Sequence, residues 1–154
     1  MLTGFLDYHR ATLLWKASGL TQQEMATPLP SSELTIAGLV KHLALVEDSW
    51  FTERFAGQGE GVWAGIDWDA DRDWEMHSAV HDTPEQLLEL YREACERSRQ
   101  VTAAAELDQR SVVPSRSGEH FTLRWILLHL IEETARHNGH VDLLREAIDG
   151  VSGE

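Results

Sequence analysis

Apolar residues recur every three or four positions through four stretches of this chain, and polar segments rich in proline or glycine separate them. The first stretch, about residues 2–18, carries Phe5, Tyr8, Leu13 and Trp15 and stops at Gly19. A polar link follows, marked as connector by Pro28 and Pro30. The second stretch, about Leu34 to Phe55, bears the stripe Ile36, Leu39, Leu43, Val46 and Trp50 and ends at Gly57 and Gly59. The third opens with Thr83 as N-cap, Pro84 in the first helical position and Gln86 completing a capping box, and continues to about Ala105. The fourth starts after Thr122, a second N-cap, and runs to about Ile148 before Gly150. No stretch alternates apolar and polar residues long enough for a strand, and Val112-Val113 is too short to count as one. The pattern predicts an all-α protein: one antiparallel four-helix bundle, a single domain over residues 1–154.

Two long connectors remain. Residues 60–82 show no clear period and set Trp63, Trp68 and Trp74 among Asp67, Asp69, Asp71 and Asp73. Connectors of this length are often functional, so the segment reads either as a lid over a site or as packing at the bundle edge. Its acids do not form an EF-hand: the glycine at loop position six and the glutamate at position twelve are missing, with Ser78 at the latter. The second connector, residues 106–121, contains Pro114 and Gly118.

Composition narrows the function. With 42% hydrophobic and 25% charged residues the chain reads as soluble and globular. Its 26 acids against 13 Lys and Arg, a formal charge of −13, oppose a phosphate backbone and argue against nucleic-acid binding. No apolar run approaches the ~18–20 residues of a membrane span, and the N-terminus lacks a basic-then-apolar signal layout. The single cysteine, Cys95, sits in the third helix and reads as a buried structural thiol. One cysteine permits no internal disulfide, which suits a reducing, cytoplasmic location. Neither a phosphate-binding glycine loop nor a nucleophile elbow is present.

The pointed chemistry lies in the fourth helix, Glu133-Thr-Ala-Arg-His137-Asn-Gly-His140, and in the lone His42 of the second. On a helical wheel His137 falls ~25° from the centre of the stripe formed by Leu123, Leu127, Leu130, Thr134, Val141, Leu144 and Ile148, and Glu133 ~65° away on the same side. His140 falls ~85° away, at the margin, and His129 ~105° away. His42 flanks its own stripe, three residues after Leu39 and four before Val46. Two imidazoles and a carboxylate from facing helices make a donor set for a divalent metal that leaves coordination positions for water or substrate. The competing reading is a chance Glu/His pair on a solvated face. Against it stands the proximity of both residues to the apolar stripe, where a carboxylate is costly without a partner.

These residues carry a resemblance. The chain resembles the DinB-like superfamily, which includes bacillithiol- and mycothiol-dependent transferases and isomerases; within it the similarity is to a largely actinobacterial branch of uncharacterised proteins. The second-helix motif is Gly38-Leu-Val-Lys-His42-Leu-Ala-Leu-Val-Glu47 and the fourth-helix motif His129-Leu-Ile-Glu132-Glu133-Thr-Ala-Arg-His137-Asn-Gly-His140-Val-Asp142. The first helix, Tyr8-His9-Arg10-Ala-Thr-Leu-Leu-Trp15-Lys16, extends the similarity over nearly the whole chain. The resemblance implies a four-helix bundle with a metal held by one ligand of the second helix and two of the fourth. Many members have His-x-x-x-His in the fourth helix; here Glu133 takes the first place, as in the mycothiol-dependent maleylpyruvate isomerase branch. Carried over, the ligands are His42, Glu133 and His137, with His140 as an alternative ligand or an orienting neighbour.

The resulting expectation is a zinc-dependent enzyme of thiol S-transferase or isomerase type, with nickel or iron as alternative metals and a low-molecular-weight thiol such as mycothiol as cosubstrate. His9 and Arg10 are expected at the bundle mouth as substrate contacts, with a solvated helix face as the competing reading. Glu47, five residues after His42, reads as a surface carboxylate. Trp15, Trp125 and Ile126 exceed what one core would take, which suggests a homodimer. The alternative function is a non-catalytic stress-response or binding bundle with a structural metal or none.

Overall fold

Three of the four long helices begin at a threonine cap. The computed structural model describes residues 1–152, so positions 153 and 154 of the expected domain lie outside the described residues. Helix α1 spans Leu2–Ala17, α3 Ile36–Glu47, α5 Pro84–Ala103 and α6 Leu123–Asp149. The hydroxyls of Thr35, Thr83 and Thr122 accept from the backbone N–H three residues on, and Thr83 with Gln86 forms the expected capping box. Gly150 closes α6 in a left-handed conformation (φ 77°), a geometry that a side chain disfavours. Two short helices were not anticipated. Helix α2, Gln22–Met25, has its own capping box of Thr21 and Glu24 inside the polar link, and α4, Trp74–Ser78, lies in the Trp-rich connector.

Helix α3 does not stop at Glu47 but continues as a π-helical segment, Asp48–Phe55. Its wider turn shifts the inward face. The expected stripe continued through Val46 and Trp50; instead Phe51 and Phe55 are buried, while Val46 and Trp50 are only partly so. Ile126, expected among the residues left over for a dimer, is fully buried, whereas Trp15 and Trp125 remain exposed.

Pairings between elements set their directions. His9 and Lys16 of α1 meet Asn138 and Asp142 of α6, so these two helices run in parallel. Lys41 midway along α3 and Asp48 just past its end meet Asp82 just ahead of α5 and Arg97 within it, so α3 and α5 also run in parallel. The two pairs oppose each other: His42 faces Glu133, while Trp50, further along, faces Trp125 and His129. A parallel α3–α5 pair needs a connection that returns along the bundle, and the segment from Ala56 to Thr83 provides it. Trp63 of that segment is buried in the core, and Trp68 and Trp74 pack against it. No strand forms among the described residues; a lone antiparallel bridge joins Arg110 and Thr122. No described helix is long and apolar enough to cross a membrane.

The core has two apolar clusters. One gathers Leu13, Ile36, Leu39, Leu43, Leu87, Val141 and Leu144, the other Leu6, Phe51, Phe55, Leu123, Ile126, Leu127 and Leu130. Between them, in sequence on every long helix, comes a polar waist: Arg10, Glu47, Ser98, Thr134 and Asn138 are all buried, and Tyr91 and Cys95 of the first cluster border it. Glu47 is therefore no surface carboxylate. It is 1% exposed, and Arg10, 3% exposed, donates to both of its oxygens at 2.6 and 2.7 Å. A fork of two charge-assisted bonds is the arrangement that makes two buried charges tolerable.

Candidate metal centre

At the level of the waist, on the α3–α6 face, three side chains converge. Glu133 and His137 lie one turn apart on α6, at i and i+4, so they stack. His42 arrives from α3 across the antiparallel interface. The Glu133 Oε1 atom lies 3.1 Å from His137 Nε2 and 3.6 Å from His42 Nε2. The two imidazoles meet edge to face at 5.2 Å. One ligand atom from each of the three residues can be chosen so that all lie within 4.8 Å of one another, and no further such group includes His140 among the described residues.

The donor set fits a divalent metal. Bonds of about 2.0–2.1 Å in a tetrahedral site imply donor–donor edges of about 3.3 Å. The two distances at Glu133 bracket that value, so these two edges are already close to those of a coordinated arrangement. Side-chain exposures of 26% for His42, 18% for Glu133 and 12% for His137 leave one side of the cluster open.

Electrostatics pull the three groups apart. Burial disfavours the His42 imidazolium, but Glu75 and then Glu133 outweigh it and hold the ring above its ordinary pKa. His137 goes the other way: burial and then the charge of His42 lower its pKa against the opposing pull of Glu133. Burial works against the Glu133 carboxylate too, yet His137 and then His42 keep its pKa below the usual carboxylate range. The cluster thus holds an ionised carboxylate beside at least one imidazole, His137, biased toward its neutral, lone-pair form.

The neighbouring expectations resolve unevenly. His140 is half-buried and sits beside His137, their Nδ1 atoms 3.2 Å apart. Arg10 lies in the waist, on neither a solvated face nor the mouth, and its guanidinium is occupied by Glu47 and Asp7. His9 is half-buried at the edge of α1, its ring edge-on to Tyr8. His129 leaves the site for an aromatic group, stacked on Trp125 and edge-on to Trp50. Cys95 is buried as expected; burial and then the charge of Glu47 push its thiol up to about 12.

One contributor was not foreseen. Glu75 of α4 accepts from His42 Nδ1 at 2.8 Å and is buried. It lies in the aperiodic connector, 33 positions from its partner, where no spacing rule links the two.

No curated protein matches the chain closely enough to be counted a relative. A family model described as MST, Mycothiol-S-transferase, matches residues 1–150. An all-helical bundle, a half-open His/Glu cluster between α3 and α6, and a match over nearly its whole length lead to one assignment: this chain belongs to the mycothiol S-transferase family.

Proposed function

We propose that the protein is a metal-dependent thiol S-transferase that uses mycothiol or a closely related low-molecular-weight thiol. The carrying observation is the convergence of His42, Glu133 and His137 on one half-open point, in a chain of this family. A divalent metal held there lowers the pKa of a thiol that reaches it and so favours the nucleophilic thiolate. Zinc suits the mixed imidazole and carboxylate donors best; nickel and iron are the alternatives.

The chain's own residues do the rest. His42 and His137 offer Nε2 lone pairs, and Glu133 contributes the single negative charge that offsets part of a dication. With Nε2 of His137 turned to the metal, its remaining proton sits on Nδ1 and is donated to the facing Nδ1 of His140, which orients the ring. On this reading the thiol and the electrophile would both approach from the exposed side of the cluster. In the transfer itself a carbon–sulfur bond forms, the leaving group departs with its bonding pair, and the thiol proton passes to solvent. The expectation of a substrate contact from α1 rests on His9, because the charge of Arg10 is already committed to Glu47.

The test is elemental analysis of tag-free protein alongside Glu133→Ala and His137→Ala. We expect about one zinc per chain in the wild type, lost in both variants, and thiol-dependent consumption of an electrophile that follows metal content. A wild type that takes up no metal after zinc addition would overturn this function and favour a binding bundle without catalysis.

A further inference from the structure

We infer that Glu75 is a positioning residue for the metal centre: its carboxylate fixes the tautomer and orientation of His42 so that Nε2 faces Glu133 and His137. The inference rests on the metal-centre reading above and extends it to a residue outside the proposed ligand set.

Three contacts hold the Glu75 carboxylate where it acts. Gly38, one turn before His42, lets α4 approach closely: a Cβ there would lie 3.3 Å from Met76 Sδ and 3.4 Å from the Met76 carbonyl oxygen. Lys41 pins the same segment, with its Nζ 2.6 Å from Asp82 and 4.7 Å from the centre of the Trp74 ring. His42 Nδ1–H then donates to Glu75 Oε1 at 2.8 Å. The bond leaves the Nε2 lone pair as the ring's free donor atom, on the side of Glu133.

The surroundings of Glu75 also argue for a purpose. It is 4% exposed, and its Oε2 is enclosed without a hydrogen-bond partner. A carboxylate so placed costs stability unless something offsets it. Its contact with His42 is the compensation on view, and a cation at the far side of the imidazole would add to it through the ring. Carboxylate–imidazole–metal chains work this way: the outer carboxylate makes the imidazole more basic and stops it from rotating. Much of the Trp-rich connector then serves to deliver one carboxylate to the back of one ligand.

Glu75→Gln and Glu75→Ala test the assignment by two readouts that need no enzyme assay. Zinc affinity, measured by competition with a chromophoric chelator, should fall about tenfold in Glu75→Gln, which keeps a neutral acceptor, and about 100-fold in Glu75→Ala. In the metal-free protein at alkaline pH, ring nitrogen NMR should show His42 as the Nδ1–H tautomer in the wild type and as a mixture in Glu75→Ala. Should Glu75→Ala fail to fold, Glu75→Gln alone carries both measurements. Wild-type zinc affinity in a folded Glu75→Ala, or an Nε2–H tautomer in the wild type, overturns the role of Glu75 and leaves the metal centre standing. A wild type that binds no zinc removes the metal centre itself.

Discussion

Two carboxylates, Glu47 and Glu133, sit at nearly the same level of one bundle and meet different fates. Glu47 is sealed in the waist and closed off by both arms of Arg10. Glu133 is half-buried and shared between two imidazoles, with one side open. The first pair is complete: every charge has its partner and nothing more can bind. The second is incomplete, because its carboxylate lies between two imidazoles, of which His137 is biased toward its neutral form, and no permanent cation closes it off. The difference is one of partner chemistry. A guanidinium ends the argument by neutralising the carboxylate permanently, whereas imidazoles hold it in place and still accept a metal.

Breaking the closed pair should have the largest effect. Arg10→Met leaves the Glu47 carboxyl group buried without its partner, and we expect a loss of about 3–5 kcal/mol in urea unfolding. Arg10→Met with Glu47→Leu removes both charges and should recover most of that loss, since an apolar pair of similar volume is often as stable as a buried ion pair. If the single variant costs no more than an exposed charge does, about 1 kcal/mol or less, the waist is not closed as described. The alanine variants of His42, Glu133 and His137, at an open site, should each cost far less stability in the metal-free protein.

Cys95 probes the same closure chemically. Its thiol is pushed up to about 12 from an ordinary 9.0, so roughly a thousandfold less thiolate is present at neutral pH than for a free cysteine. Alkylation of the native protein by iodoacetamide should therefore be at least about a thousandfold slower than in denaturant. A fast native reaction would show that solvent reaches the waist.

The open site should reveal itself by ligand linkage. Zinc at about 100 times its dissociation constant should stabilise the wild type by about 2.7 kcal/mol and raise its melting temperature; Glu133→Ala and His137→Ala should lose the shift. An equal shift in all three proteins would mean that zinc binds elsewhere.

What the sequence could reveal divides along the same line. Glu133 and His137 were legible because a single helix fixes their relation: four residues apart, close to the apolar stripe, they had to stack. The caps of α5 and α6 were legible for the same reason, since Thr83 with Gln86, and Thr122, act within one turn. Glu47 was misread because it was judged only against His42. It lies four residues after Leu43 and four before Phe51, both fully buried, and that spacing does place it on the core face. The π-helical stretch was invisible to a fixed 3.6-residue period, so the inward residues shifted from Trp50 to Phe51. Glu75 could not have been found at all from period or spacing, for its relation to His42 exists only after the connector has folded back along α3.

That fold-back suggests the smallest and most specific perturbation, Gly38→Ala. Replacing a helical glycine by alanine favours the helix by up to about 1 kcal/mol. The new Cβ, however, would sit 3.1 Å from the Thr35 Oγ1 that caps α3 and 3.3 Å from Met76 Sδ, both tighter than an ordinary contact. These terms oppose each other, so the melting temperature of the metal-free protein should move little, within about 1 kcal/mol in free energy. Relief of the crowding requires α4 to withdraw by a few tenths of an ångström, and Glu75, next to Met76, withdraws with it. The His42–Glu75 bond, 2.8 Å in the native arrangement, should lengthen. Zinc affinity should then fall a few-fold, less than in Glu75→Gln, at nearly unchanged stability. Unchanged affinity would mean that Met76 yields through its flexible side chain alone and that α4 holds Glu75 without help from the missing Cβ of Gly38.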